Sequence, residues 1–288
     1  EPTVKGVIIA AGFGKRIWPA TEAYSKIFHQ IYDKPTVFYN LTNLIAMGIT
    51  DICIVGTPEM NRQFKKLFSD SLLLKYLTFV DEQEDDVQGT ATSIKKAEKF
   101  VGTDSFALFM GDCLFVDLTN SIFNDLREEF EERGVSLTIT VPVKDARAFS
   151  YFDGDYIIEK GSDPTRKNAV PGFYIFKSDV FSYIDKISKS ERNEYEIVSA
   201  INLMVKDKQF INAGHKYSLV WMDTGSMDGL KNASTLIALL ENTTGRIIGS
   251  PYLELLKRGI LSKKEVLDNI EHRSGQYAEA LKKEVSQQ

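Results

Sequence analysis

The stretch VIIAAGFGKRIWPATEAYSK, residues 7–26, runs from apolar β-formers straight into Gly12, Gly14, Lys15 and Arg16, with Lys26 one short loop later. Glycine lets backbone N–H groups approach a ligand closely, and Arg or Lys neutralises its charge. Gathered at the end of a buried strand, these residues call for an anion. Two acidic side chains occupy matching places: Asp112 ends the apolar run in FMGD, and Asp223 ends another in WMDTG. Taken singly, each reads as an ordinary loop carboxylate.

Spacing narrows what the glycine loop is. A dinucleotide-binding fingerprint needs a third glycine, and position 17 is Ile. A Walker A loop needs four residues between its glycines and then Lys-Ser or Lys-Thr, which is absent. Two readings survive on the residues alone: a loop whose N–H groups cradle a triphosphate while Arg16 neutralises it, or a tight turn with solvated cations.

These residues must be positioned by a sizeable core, and 288 residues provide one. A hydrophobic content of 43% with 26% charged residues is ordinary for a globular chain. The net charge of -5 argues against non-specific nucleic-acid binding, so an anion must be held by a local site. Cys53 and Cys113 both lie in apolar runs and read as buried thiols, with no CxxC motif; the scattered His29, His215 and His272 suggest no histidine metal site. No signal peptide or membrane span is apparent, so a cytoplasmic location is expected.

Up to residue 142, short apolar runs (VKGVIIA, DICIVG, YLTFV, SFALFMGD, VSLTITVPV) alternate with amphipathic segments (TVFYNLTNLIAMG, MNRQFKKLF, TATSIKKAEKFV, SIFNDLREEFEERG). Such alternation predicts βαβ units and a mostly parallel sheet, with ligands at the carboxyl ends of its strands. From 143 the pattern changes to a hairpin turning at Asp153-Gly154, a strand AVPGFYIF, helices over DVFSYIDKI and YEIVSAINLMV, and a strand KYSLVWMDTG. Beyond 227 the chain reads as helical, with a capping box at Ser262 and Glu265. The expected organisation is an α/β core over 1–226, with a nucleotide-binding half at 1–142 and a sugar-phosphate half at 143–226, followed by a helical segment at 227–288.

The continuation AAGFGKRIWPATEAYSK resembles the signature of sugar-nucleotide pyrophosphorylases: a small-residue glycine loop, an Arg, a Pro-x-Thr and a Lys. IYDKPTVFYNLTNLIAMGITDICIVGTP, GDCLF, EKG, AVPGFYIF, ERNEYEI, WMDTGS and IGSPYLELLKRGILS follow in the order of that family, nearest to its glucose-1-phosphate thymidylyltransferases. The resemblance implies a Rossmann-like, mostly parallel mixed sheet of the nucleotide-diphospho-sugar transferase type, with a helical C-terminal appendage. It also implies transfer of a nucleotidyl group from a nucleoside triphosphate, dTTP or UTP, to a sugar-1-phosphate, with Mg²⁺ on Asp112 and Asp223 and a homodimer or homotetramer as the assembly. By the same resemblance Ala11, Gly12, Gly14 and Arg16 meet the triphosphate, Lys26 lies between the reacting phosphates, and Arg16, Lys26 and Asp112 are catalytic. Glu159 and Gly172 meet the sugar, Lys160 and Arg192 hold its phosphate, and Gln83 and Gly89 read the base. A cytidylyltransferase acting on another phosphorylated alcohol and a catalytically silent nucleotide-sugar sensor are the competing functions.

Departures fall mainly on the sugar side. EQEDDVQG replaces the family's Q-P-x-P-x-G at the base loop, and Lys15 replaces a Thr. ARAFSYFDGDYIIEK is a shortened hairpin with Phe149 near the usual Gly. Pro171 replaces a Thr, and Val198-Ser199 replace a Thr-Asp pair. The expected nucleotide and metal positions keep the pattern; the sugar pocket is altered.

Overall fold

The computed structural model describes residues 3–11, 19–22, 26–83, 86 and 88–288, with the backbone alone at Lys26. Gly12, Gly14, Lys15 and Arg16 lie outside the described residues.

Along the first half run β1 (Val4–Ile9), β2 (Gln30–Ile31), β3 (Lys34–Pro35), α1 (Thr36–Ala46), β4 (Ile52–Gly56), α2 (Pro58–Leu67), β5 (Leu77–Asp81), α3 (Thr90–Lys95), α4 (Glu98–Val101), β6 (Ser105–Met110), β7 (Cys113–Asp117), α5 (Ile122–Arg133) and β8 (Ser136–Pro142). The second half adds β9 (Ser150–Asp153), β10 (Tyr156–Glu159), β11 (Asn168–Ala169), β12 (Phe173–Phe176), α6 (Val180–Ile184), α7 (Ile197–Lys206), β13 (Phe210–His215), β14 (Leu219–Asp223), α8 (Met227–Thr244), α9 (Pro251–Lys257), α10 (Lys263–Ile270) and α11 (Gln276–Gln287).

Alternation along the buried strands divides the core into two layers, because successive side chains leave opposite faces of a sheet. Ile8, Ala10, Ala107 and Phe109 point into one layer with α1, α2 and α5; Val7, Ile9, Phe106 and Leu108 point into the other with α3, α6 and α7. Each fully buried Ile, Leu or Phe contributes about 1.5–3 kcal/mol relative to exposure. Between the layers lies a mixed sheet in the order β11-β8-β12-β6-β1-β4-β5, with β13 pairing β8. Strands β6, β1, β4 and β5 are mutually parallel, whereas β12 runs antiparallel to β6 and β8. Cys53 and Cys113 are free and buried, and burial pushes the Cys53 thiol up to about 12.

Local chemistry sets the element ends. Thr57 caps α2 by accepting from the Met60 amide at 3.2 Å, and Pro58 occupies the first turn where its missing N–H costs nothing. The Ser262–Glu265 capping box forms as expected. TATSIKKAEKFV divides into α3 and α4, because Lys96 and Ala97 bond three residues back to Ser93 and Ile94 and tighten the turn. AVPGFYIF divides at Pro171, whose nitrogen has no hydrogen to give a ladder. Strand β13 carries Asn212, Ala213 and Gly214 and shows no strand pattern; it forms because its backbone pairs in parallel with β8, with a register shift between Asn212 and His215.

The C-terminal helices join the main layer instead of standing off it: Tyr252, Leu253, Val266, Ile270, Leu281 and Val285 are buried there beside α1. Their anchor includes a fully buried ammonium. Lys34 pairs with Asp33 and with Glu241 of α8 at 3.0 Å, and lies over the rings of Tyr39 and Tyr277 at 5.6 and 5.3 Å. Burial raises the Glu241 carboxyl above its ordinary range, and Lys34 pulls it back down. Lys34→Met is therefore expected to lower unfolding stability by about 3–5 kcal/mol, since two partly buried carboxylates lose their cation. With Lys34 gone, the folded-state carboxyl pKa rises further above the unfolded value, so folding takes up protons. The deficit should be greatest at neutral pH and shrink as pH falls toward about 4.3, the ordinary glutamic acid value. Urea unfolding of both chains at pH 4.5 and 7.5 measures it.

Candidate functional site

The carboxyl ends of β1, β4, β5 and β6 meet along one edge, cross-linked by backbone bonds. Ala10 and Ala11 donate to Val55 at 2.8 and 3.2 Å, Glu82 donates to Gly56 at 2.8 Å, and Gly111 donates to Ile9 at 2.8 Å. Because β12 runs antiparallel to β6, its leading Gly172 arrives at the same edge and accepts from Met110 at 2.8 Å. A Cβ at Gly111 would stand 2.7 Å from the Ile9 carbonyl oxygen, and one at Gly172 would stand 2.7 Å from the Met110 Cβ. Only hydrogen fits either place.

Beyond Gly111 the chain leaves the sheet as β7, which forms a two-stranded antiparallel ribbon with β14. The register sets Asp223 opposite Cys113, and the Thr224 amide donates to the Asp112 carbonyl at 2.9 Å. Asp112 and Asp223 thus sit on neighbouring rungs, both half-buried. Asp223 Oδ1 accepts from the Gly225 amide at 2.9 Å, which orients the carboxylate. Cys113 between them has its thiol held well above the ordinary range, first by burial and then by Asp112 and Asp223. No other described residues form a group of three or more His, Cys, Asp or Glu able to hold a metal. A pair of carboxylates matches Mg²⁺, which keeps water and phosphate oxygens in most of its positions.

A second cluster gathers at the base of the β9–β10 hairpin. Arg192 donates to Glu159 at 3.1 Å and also pairs with Glu196, four residues on. Burial, followed by the Glu196 charge, pushes the Glu159 carboxyl up. Lys160 is exposed, holds a left-handed backbone at φ +48°, and donates its amide to the Phe149 carbonyl at 3.0 Å. Phe149 does not fill an open pocket; its ring packs edge-on against Trp221 at 4.7 Å, two residues before Asp223. Tyr174, fully buried, has its phenol held up by burial and by the charges of Glu159 and Cys113, so it lies between the two clusters. The acidic pair and the sugar-side residues therefore share one continuous wall.

Other expected residues divide. Ala11 is half-buried on the edge, and the Lys26 backbone opens a short 3₁₀ turn whose Ile27 packs on Gly111. Gln83 is exposed, with its amide donating to Asp86 at 2.8 Å, while its neighbour Glu82 is the buried side chain and accepts from Ser93. Gly89 adopts φ +138°, where a Cβ would fall 2.1 Å from the Tyr195 carbonyl oxygen. Contact with the Arg192 segment, and not only access for a base, thus requires glycine there. Sequence reading passed over Glu196 and Trp221; a carboxylate four residues after Arg192 was the available signal for the first.

Among the described residues no helix is long and apolar enough to cross a membrane. The sequence profile described as Nucleotidyl transferase matches residues 5–238. A glucose-1-phosphate thymidylyltransferase of Mycolicibacterium smegmatis is 30% identical over 86% of this chain and 87% of its own. A bifunctional sugar-1-phosphate nucleotidylyltransferase/acetyltransferase of Sulfurisphaera tokodaii is 34% identical over 77% of this chain and 52% of its own. A Bacillus anthracis protein assigned as a glucose-1-phosphate thymidylyltransferase, solved with sucrose, superposes with a TM-score of 0.72 at 27% identity, over 81% of this chain and 95% of that one. A strand-edge site of this build, in a chain matched over most of its length, belongs to the nucleotidyl transferase family.

Proposed function

We propose that this chain joins a nucleoside triphosphate, dTTP or UTP in preference, to a sugar-1-phosphate, forming an NDP-sugar and pyrophosphate. The observation that carries the reading is one sheet edge holding both the Asp112–Asp223 rung and the Glu159–Lys160–Arg192 cluster, in a family whose relatives bear sugar-1-phosphate nucleotidyltransferase names. In this reaction an oxygen of the sugar phosphate attacks the α-phosphorus. The bond from that phosphorus to the bridging oxygen breaks, and its electrons leave on pyrophosphate.

Two anions must meet, so positioning and charge neutralisation carry the catalysis. Arg16 and Lys26 neutralise the triphosphate and the reacting oxygens, while Ala11, Gly12 and Gly14 present their backbone to it. Lys160 and Arg192 take the sugar phosphate. Arg192 is free to do so cheaply: it is 43% exposed, and ion pairs at such positions contribute only about 0–1 kcal/mol. Glu159 and Gly172 face the sugar. Asp112 and Asp223 hold Mg²⁺, which when bound offsets charge on the triphosphate oxygens. A homodimer or homotetramer is part of this reading.

Pyrophosphate release, screened with dTTP, UTP, CTP, ATP and GTP against a panel of sugar-1-phosphates, is expected to give its fastest turnover with dTTP or UTP. Turnover confined to CTP and a non-sugar phosphate would make the chain a cytidylyltransferase, and no turnover with any pair would leave a sensor. Asp223→Asn should reduce kcat by about 10²-fold or more with the melting temperature nearly unchanged, as for other lost electrostatic stabilisers. Gly111→Ala should act on both readouts, since its Cβ pushes the Ile9 backbone: stability falls by about 1–3 kcal/mol, and kcat falls as Asp112 moves. Normal turnover in Asp223→Asn would remove that residue from the site.

A further inference from the structure

The base-side loop and the sugar-phosphate turn, far apart in sequence, are fastened to one another. Tyr195 donates its amide to the Gln88 carbonyl at 3.1 Å, Ala91 donates to the Tyr195 carbonyl at 3.0 Å, and Ile197 donates to the Thr90 hydroxyl at 2.8 Å. Gly89 lies against Tyr195 so closely that no Cβ is tolerated. On the nucleotide side, Ser93 of α3 bonds back to Gly89 at 3.3 Å and gives its hydroxyl to buried Glu82 at the sheet edge. On the sugar side, Ser190 and Glu194 close a short turn at 2.8 Å, Arg192 sits inside it, and Glu196 next to Tyr195 pairs with Arg192. Residues 88–91 cannot shift without carrying 195–197, and with them the guanidinium.

From this we infer that Thr90 is a positioning residue that couples the two substrates: nucleotide held at the 82–89 side sets Arg192 for the sugar phosphate. The inference rests on the function proposed above. Of the ties, Thr90 supplies the only side-chain atom; its hydroxyl oxygen satisfies the Ile197 amide in the first turn of α7, and the remaining bonds are backbone to backbone. Coupling of this kind is reciprocal, so each substrate must tighten the other by the same factor.

Calorimetry with the α,β-methylene analogue of dTTP and glucose-1-phosphate, or the faster pair from the screen, reads the factor directly. In the unaltered chain the analogue is expected to tighten sugar-phosphate binding by about 5-fold or more, and the reverse titration to give the same factor. Thr90→Val should bring the factor below about 2, leaving the affinity for the analogue alone nearly unchanged, whereas Thr90→Ser, which keeps the hydroxyl, should retain it. Hydrogen exchange on the unaltered chain supplies a readout without any variant: the analogue alone should slow the amides of Tyr195 and Ile197. A wild-type factor in Thr90→Val, even one with a lowered melting temperature, makes the tie structural only and overturns the inference. So does an unaltered chain that turns over yet shows no mutual tightening, or no slowing at 195–197. Absence of turnover with every pair is a different failure, that of the reaction itself.

Discussion

The hydrogen bond from the Thr224 amide to the Asp112 carbonyl closes the rung on which the acidic pair depends. Carboxylates repel one another, and nothing local brings Asp112 near Asp223. Their approach is enforced by the β7–β14 ribbon, whose backbone bonds place one beside the other irrespective of charge. The ribbon in turn departs from β6 only because Gly111 can press on the Ile9 carbonyl. A single hydrogen-for-methyl distinction at that turn thus governs where the acidic pair stands relative to the β1 edge.

Charge around this edge is arranged in layers of differing stiffness. The acidic pair is half-buried and braced by backbone N–H groups, so it has little freedom. Arg192 is more exposed and shared between two carboxylates, an arrangement that holds it in place while leaving donors for a phosphate. Glu159, pushed toward its neutral form by burial and by Glu196, weakens its own hold on the guanidinium. Rigid acids and a loosely held cation suit a site that must receive a metal–triphosphate and a mobile sugar phosphate.

Trp221 and Phe149 account for the altered sugar side in physical terms. The shortened hairpin brings Phe149 onto the indole, and the pair spans the gap between Asp223 and Lys160. The expectation of apolar bulk near the ring position is met, but the bulk is spent on packing one wall against another. Buried aromatic pairs of this type add about 0.5–1.5 kcal/mol beyond area burial, so the wall is a stiff one.

Much of this was legible in the residues themselves. Period-two apolar runs such as VKGVII and SFALFM, with amphipathic segments between them, specify parallel strands, since both faces must be covered. The Thr57-Pro58 and Ser262–Glu265 caps are written in short-range chemistry, and the glycine loop, the GD and MDTG turns and Arg192 declared themselves by residue type. Other features depended on partners distant in the chain. Strand β13 has no strand pattern and exists because β8 offers an unpaired edge. Gly89 looked like a place for a ligand, yet its neighbour is the Tyr195 backbone. Gln83 was the amide in view, while the fold buries Glu82, because the strand's exit at the Gly56 carbonyl decides which side chain faces in. Local sequence determined the elements and the chemical groups, since propensity, capping and side-chain type act over a few residues. Which groups meet was decided only in the tertiary structure, where backbone bonds between distant segments set distances that no local pattern encodes.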